Sequence, residues 1–238
     1  MEKLIYLLWR KPGTEPEAFA RSVRTELADR VAALPGVQRV QANVQDADVA
    51  AAAAMRQTLL DPAIDALLQV WVDTAVDAFR APLDAVIAAG CTRHAAYRVC
   101  ESEPLVNTRH PPQPGQRTAG FAQIAVLRQP LRLTREDWLR LWQNGHTRVA
   151  IDTQDTFEYR QNLVVQTLSA DAPVIDAIVE ECFPAAAMRD PFAFFAAAGD
   201  EAKFREHLRL MMDSVDRFLD RGQLDVLPTS QYRSKGWR

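Results

Sequence analysis

Leu4-Ile5-Tyr6-Leu7-Leu8-Trp9-Arg10-Lys11-Pro12-Gly13, followed by Pro16-Glu17-Ala18-Phe19, reads as a strand, a turn and the start of a helix. The same message returns about 118 residues later. Phe121-Ala122-Gln123-Ile124-Ala125-Val126-Leu127 is again a strand-length apolar run, Arg128-Gln129-Pro130 a turn, and Thr134-Arg135-Glu136-Asp137-Trp138 the opening of a helix. Laid on one another, Arg10 meets Arg128, Pro12 meets Pro130 and, after a one-residue gap, Phe19 meets Trp138. A repeat of this length implies a duplicated domain, not a solenoid unit. The copies differ where His146 falls opposite Leu27, and such differences are where function is to be sought.

Working outward, Phe19, Val23, Leu27, Val31 and Leu34 recur on one helical face, and Leu34-Pro35-Gly36 ends that helix. Val40, Ala42 and Val44 alternate with Arg39, Gln41, Asn43 and Gln45, the pattern of a strand with one buried and one wet face. The alanine-rich segment from Val49 to Met55 reads as a short helical excursion. A strand from Leu67 to Val72 follows. Next come a helix marked by Val76, Phe79, Leu83, Val86 and Ile87, which Pro82 should kink or shorten, and a strand at Tyr97 and Val99. In the second half, Trp138, Leu141, Trp142 and Val149 line a helical face. Residues 157–168, 174–183 and 224–232 read as strands, and Phe204, Leu208, Met211, Val215 and Phe218 as an amphipathic helix. Residues 185–199 have no counterpart in the first half.

This is an α+β chain of two tandem βαββαβ units of ferredoxin-like order, each an antiparallel sheet with both helices on one face. The expected boundaries are 1–101 for a degenerate N-terminal unit, 102–117 for a proline-rich linker and 118–238 for the unit carrying the candidate site. Pairing the two open sheet faces, within one chain or between chains, would bury them and close a barrel; further association into a homodimer stays open.

A net charge of −3, with Lys and Arg scattered singly, argues against a nucleic-acid partner. The apolar runs are far short of a membrane span and no leader pattern opens the chain, so a cytoplasmic protein without a membrane partner is expected. Cys91, Cys100 and Cys182 form no CxxC pair and read as reduced structural thiols. No two of the four histidines have metal-ligand spacing, and no glycine-rich phosphate loop is present, so neither a metal nor a nucleotide cofactor is expected.

His146 is the leading catalytic candidate. On a helix with Trp138 and Trp142 it points toward the sheet, where dry surroundings would hold the imidazole neutral, as a general base requires. The alternative is a buried histidine bonded to a backbone carbonyl. Tyr159 and Gln161, two apart on a strand, share a face; Tyr159 could donate to a substrate oxygen and Gln161 orient it, while Asn162 points the other way. Glu158 and Arg160 then read as solvent-facing or paired at an interface. Trp138, Trp142, Phe192, Phe194 and Phe195 could line a pocket for a small apolar or aromatic molecule, or could be plain core. His207 falls on the polar flank of its helix.

The opening strand and turn, the Trp142-to-His146 helix and Tyr159-Arg160-Gln161-Asn162-Leu163-Val164 together resemble the EthD family of the dimeric α/β-barrel group. Leu163 stands where that family's strand often has His. The resemblance implies cofactor-independent acid–base chemistry of oxidoreductase, dehydratase or isomerase type on a small apolar, aromatic or polyketide-like compound. The rival expectations are a haem-binding barrel with His146 as axial ligand, and a ligand-binding accessory protein without turnover.

Overall fold

Every residue from Lys3 to Trp9 is buried, because this strand has a barrel interior on one side and helices on the other. The computed structural model describes residues 1–237. Its strands are β1 (Glu2–Trp9), β2 (Val37–Val44), β3 (Ala66–Val72), β4 (Arg93–Leu105), β5 (Phe121–Leu127), β6 (Glu158–Thr167), β7 (Ala177–Phe183) and β8 (Leu224–Lys235). All pair antiparallel in one closed barrel ordered β1-β3-β2-β8-β5-β7-β6-β4. Each copy supplies four neighbouring strands, and the copies join where β2 meets β8 and β4 meets β6. The duplicated sheets thus cover each other's open faces within one chain and leave no free edge. Among the described residues no helix is long and apolar enough to cross a membrane.

The sheet corrects the alignment of the repeat. Ile5, Leu7, Ile124 and Val126 point into the barrel, whereas Leu4, Tyr6 and Leu8 lie under the helices of the first copy. Because a one-residue slip turns every side chain to the other face, Ile5 must answer to Ile124, an offset of 119. The matches of Arg10 with Arg128 and Pro12 with Pro130 are out of register by one. With the corrected offset the gap disappears, since Phe19 to Trp138 and Leu27 to His146 share it.

The long helices of the two copies carry the same irregularity. The first, residues 16–32, runs as Pro16–Ser22, a π-helical stretch Val23–Leu27 and Ala28–Ala32. The third, residues 135–153, runs as Arg135–Leu139, a π-helical stretch Arg140–His146 and Thr147–Thr153. Leu27 and His146 each end the wide turn, a feature that recurs at functional sites. The extra residue shifts the phase, so Ala150 rather than Val149 joins the buried row after His146. Thr134 caps this helix by accepting from the Asp137 N–H. The second helix, Asp77–Gly90, continues past Pro82 instead of ending there.

Three boundaries shift. β4 extends into the segment expected as linker, β7 starts at Ala177 and β8 continues to Lys235. The rest of the linker lies along β8: Gly115 N–H donates to Arg233 O at 2.7 Å and Thr118 N–H to Gln231 O at 2.9 Å. Gly120, at φ +79°, packs where a Cβ would meet Phe183 O at 1.9 Å, a place for glycine alone. Cys91 and Cys182 are buried free thiols and Cys100 is exposed.

The polar face of β2 is not wet. Gln41 and Asn43 are fully buried inside the barrel. With Gln69 and Gln231 they donate to Glu180: Gln41 Nε2 at 2.8 Å, Asn43 Nδ2 at 2.7 Å, Gln69 Nε2 at 3.0 Å and Gln231 Nε2 at 2.9 Å. Glu158 and Arg160 likewise face inward, neither solvent-facing nor paired at an interface as expected, with Arg160 Nε 3.1 Å from Glu158 and Arg233 also bonded to Glu158. A closed barrel turns strand faces that would be wet on an open sheet into its interior. Burial alone would push the Glu180 carboxyl up, but Arg160, the amide donors and Lys3 outweigh it and hold the group below its ordinary value of 4.5.

Glu180→Leu leaves these amides without an acceptor and should destabilise the fold by about 3–5 kcal/mol in chemical denaturation. The stability that Glu180 supplies is present above pH 4.5 and lost as the pH falls through its lowered folded value, so the gap between wild type and variant should narrow in acid.

Candidate functional site

A cavity of about 470 Å³ lies between the outer face of the C-terminal sheet and the helices over it, within the range of small-molecule sites. Gln123 on β5, Glu181 on β7 and Tyr159 on β6 line it in one transverse row, since Glu181 is the register partner of both others. The third helix contributes Trp142 and His146, and the last helix, Glu201–Phe218, contributes Met211, Val215 and Phe218. Met55 and Gln57 of the N-terminal half supply part of the wall, with Gln57 held by paired backbone bonds to Val226. The turn at Asp220, Arg221 and Gly222 forms the exposed rim.

His146 is buried against Phe218, ring centroids 4.5 Å apart, and its Nδ1 lies 3.1 Å from Ser214 Oγ on the last helix. Burial, with Arg217 nearby, lowers its pKa to about 4, so the imidazole is neutral at pH 7. Among the described residues Nε2 has no hydrogen-bond partner. Burial and the neighbouring Glu181 raise the Tyr159 phenol far above its ordinary value, an effect that Trp142, Thr147 and Gln161 partly offset. The Trp142 indole N–H lies toward this hydroxyl but falls short of a hydrogen bond.

Glu181 is the group that sequence reasoning missed. It is 6% exposed and makes no hydrogen bond among the described residues, and its Oε1 is shut off from solvent. Burial pushes the carboxyl up to about 8. The available signal was parity: Glu180-Glu181 places one carboxylate on each face of β7, and both faces of this fold are buried.

The expected pocket residues divide. Trp142, His146, Tyr159, Phe194 and Phe195 line the cavity. Trp138 does not reach it; the indole is fully buried behind Trp142, with centroids 5.1 Å apart. Gln161 shares the face of Tyr159 but is engaged elsewhere, donating to Thr147 Oγ1 and accepting from Ser102 Oγ. Phe192 stacks on Phe204 at 4.4 Å, outside the lining. The insert from Ala185 to Gly199 folds into the short helical turns Ala185–Met188 and Pro191–Phe194. His207 is no bystander on a polar flank: its Nδ1 lies 2.7 Å from Phe195 O and 2.9 Å from Thr153 O, so it must carry a proton, and it ties the insert to the third helix.

The family model described as "EthD domain" matches residues 131–222, which hold His146, Tyr159, Glu181 and the insert. Over this segment, less than half of its length, the chain is similar to an EthD domain. No curated protein matches the chain. Among solved structures, an anthrone oxidase-like protein is similar to this chain with a TM-score of 0.58 at 8% identity, covering 99% of this chain and 92% of its own. A putative monooxygenase from Lactobacillus acidophilus NCFM aligns with a TM-score of 0.45 at 8% identity, covering 99% and 96%. A putative chlorite dismutase aligns with 0.47 at 10% identity, covering 98% and 94%. At 8% identity the likeness to the anthrone oxidase-like structure is one of fold: the matched segment and its N-terminal copy form a barrel of the dimeric α/β type within one chain.

Glu181 in the EthD segment carries a pH signature. The folded chain keeps the proton up to about pH 8, whereas the unfolded chain releases it near 4.5, so stability falls as pH rises between these values. Glu181→Gln removes that loss and should raise the melting temperature by several degrees at pH 8, with little change at pH 4.5, in calorimetric scans.

Proposed function

We propose that the cavity of the EthD segment is an active site for cofactor-independent acid–base chemistry on a small, largely apolar compound of aromatic or polyketide-like character. The reaction class is oxidoreductase, dehydratase or isomerase, with His146 as base and Tyr159 as hydrogen-bond donor. The observation that carries this reading is a neutral imidazole opening on an apolar cavity with its Nε2 unpartnered. In the tautomer whose Nδ1–H donates to Ser214 Oγ, the Nε2 lone pair is available to take a proton from carbon. Tyr159, held as the phenol, supplies an O–H to the oxygen on which charge develops. Trp142, Phe195, Met211 and Phe218 exclude water and favour a flat apolar body. Returning the proton to another atom isomerises the compound. Where the outcome is oxidation, dioxygen is the co-substrate that accepts electrons from the carbanion.

The anthrone oxidase-like neighbour makes anthrone the first compound to try. Wild-type protein should accelerate deuterium exchange at the acidic methylene of anthrone, read by proton NMR. His146→Ala should lower that rate at least about a hundredfold, the scale of a lost general base. An unchanged rate in the variant would overturn the assignment of the base. A Soret band gained on haem addition and lost in His146→Ala would assign His146 as an axial ligand instead. Ligand-induced thermal stabilisation without exchange on any compound would make the chain a binding protein.

A further inference from the structure

The outer faces of the two sheets are copies in backbone and opposites in chemistry. In the C-terminal copy the row under the helices is Gln123, Glu181 and Tyr159; in the N-terminal copy the same register holds Leu4, Val70 and Val40. Above them His146 replaces Leu27. All four N-terminal residues belong to one apolar core, so the fold needs no polar group at these positions. Yet Glu181 stands where Val70 suffices, buried and with neither carboxyl oxygen bonded to the protein among the described residues. Burying such a group without a partner costs about 1–3 kcal/mol or more. Its partner is then to be sought in what fills the cavity.

We propose that Glu181 donates a proton to the carbonyl oxygen of the substrate, and that the site takes a flat apolar ketone with an ionisable C–H conjugated with the carbonyl. This rests on the acid–base reading above and names its acid and its substrate class. The ligand presents a neutral acceptor, because the walls are largely apolar and, of the two row partners of Glu181, Tyr159 is a second O–H donor and Gln123 is an uncharged amide. In the step, His146 Nε2 takes the proton from the carbon. The C–H pair becomes a C=C bond, the double bonds of any intervening ring shift in turn, the carbonyl π pair moves to oxygen, and that oxygen takes the Glu181 proton. The neutral His146 and Glu181 become an imidazolium and a carboxylate, so charge is conserved, and reversing the transfers completes an enolisation cycle. The titratable or charged groups facing Glu181 are Tyr159 on β6, His146 on the third helix, and Asp220 and Arg221 on the rim. The last helix faces it with Met211, Val215 and Phe218, and the insert with Phe194 and Phe195.

The test compares 9-fluorenone with fluorene, flat apolar probes that differ by the carbonyl, in titrations followed by tryptophan fluorescence. Fluorenone has no saturated C–H conjugated with its carbonyl to ionise, so its binding is independent of turnover. Wild type should prefer fluorenone about tenfold, the scale of one buried hydrogen bond. Glu181→Leu should abolish the preference, and Glu181→Gln, which keeps an N–H donor and cannot transfer a proton, should retain it. In infrared difference spectra, fluorenone should shift a protonated-carboxyl band that is absent from Glu181→Gln. A wild type that binds neither probe, or both equally, overturns the proposal, as does a preference that survives in Glu181→Leu. Preference kept in His146→Ala, with no exchange on anthrone in any form of the protein, would sink the acid–base reading while leaving the contact of Glu181 intact.

Discussion

One carboxylate holds the two halves of this barrel together. Glu180 comes from the C-terminal copy, and three of the amides that bond to it, Gln41, Asn43 and Gln69, come from the N-terminal copy. The group is fully buried, so its charge is tolerable only while those donors and Arg160 stay in place. That requirement fixes the distance and register between the sheets. Neither sheet alone could satisfy it, because each contributes part of the network, and closure at the β2–β8 and β4–β6 seams is what assembles it.

The neighbouring residue shows the opposite solution to the same problem. Glu181 is one step along β7 and on the other face, under helices instead of amides. With no donors to hold its charge it keeps its proton. Strand alternation therefore places an ionised and a protonated carboxyl side by side in sequence, one serving architecture and one facing a cavity. The helix above contributes a histidine driven the other way, to its neutral form, by the same dryness.

The duplicated order of strands and helices was legible because apolar spacing reports local geometry. The alignment of the copies by Arg10 with Arg128 was out of register, since turn residues matched by type while the pleat, which decides facing, demanded the other offset. The inward facing of the His146 helix was also legible, from two tryptophans and a histidine at four-residue spacing. Gln161, Phe192 and Trp138 were expected at the cavity on composition and spacing; packing against Thr147, Phe204 and Trp142 takes each of them away from it. The insert reads in sequence as an aromatic segment without counterpart in the first half, a candidate lid or wall, and the bond of His207 to Phe195 O ties it in place.

From the sequence alone come two βαββαβ units, their order, and the asymmetry of Leu27 against His146, because each depends on residues near one another along the chain. Only the tertiary structure decided which strand faces were dry. Gln41, Asn43, Glu158 and Arg160 alternate with apolar residues just as surface positions do, and no local pattern distinguishes a polar barrel interior from solvent. Glu181 is the same case on the outer face: its chemistry is set by the absence of any partner across three strands and two helices, a property of the closed fold that no stretch of the chain contains.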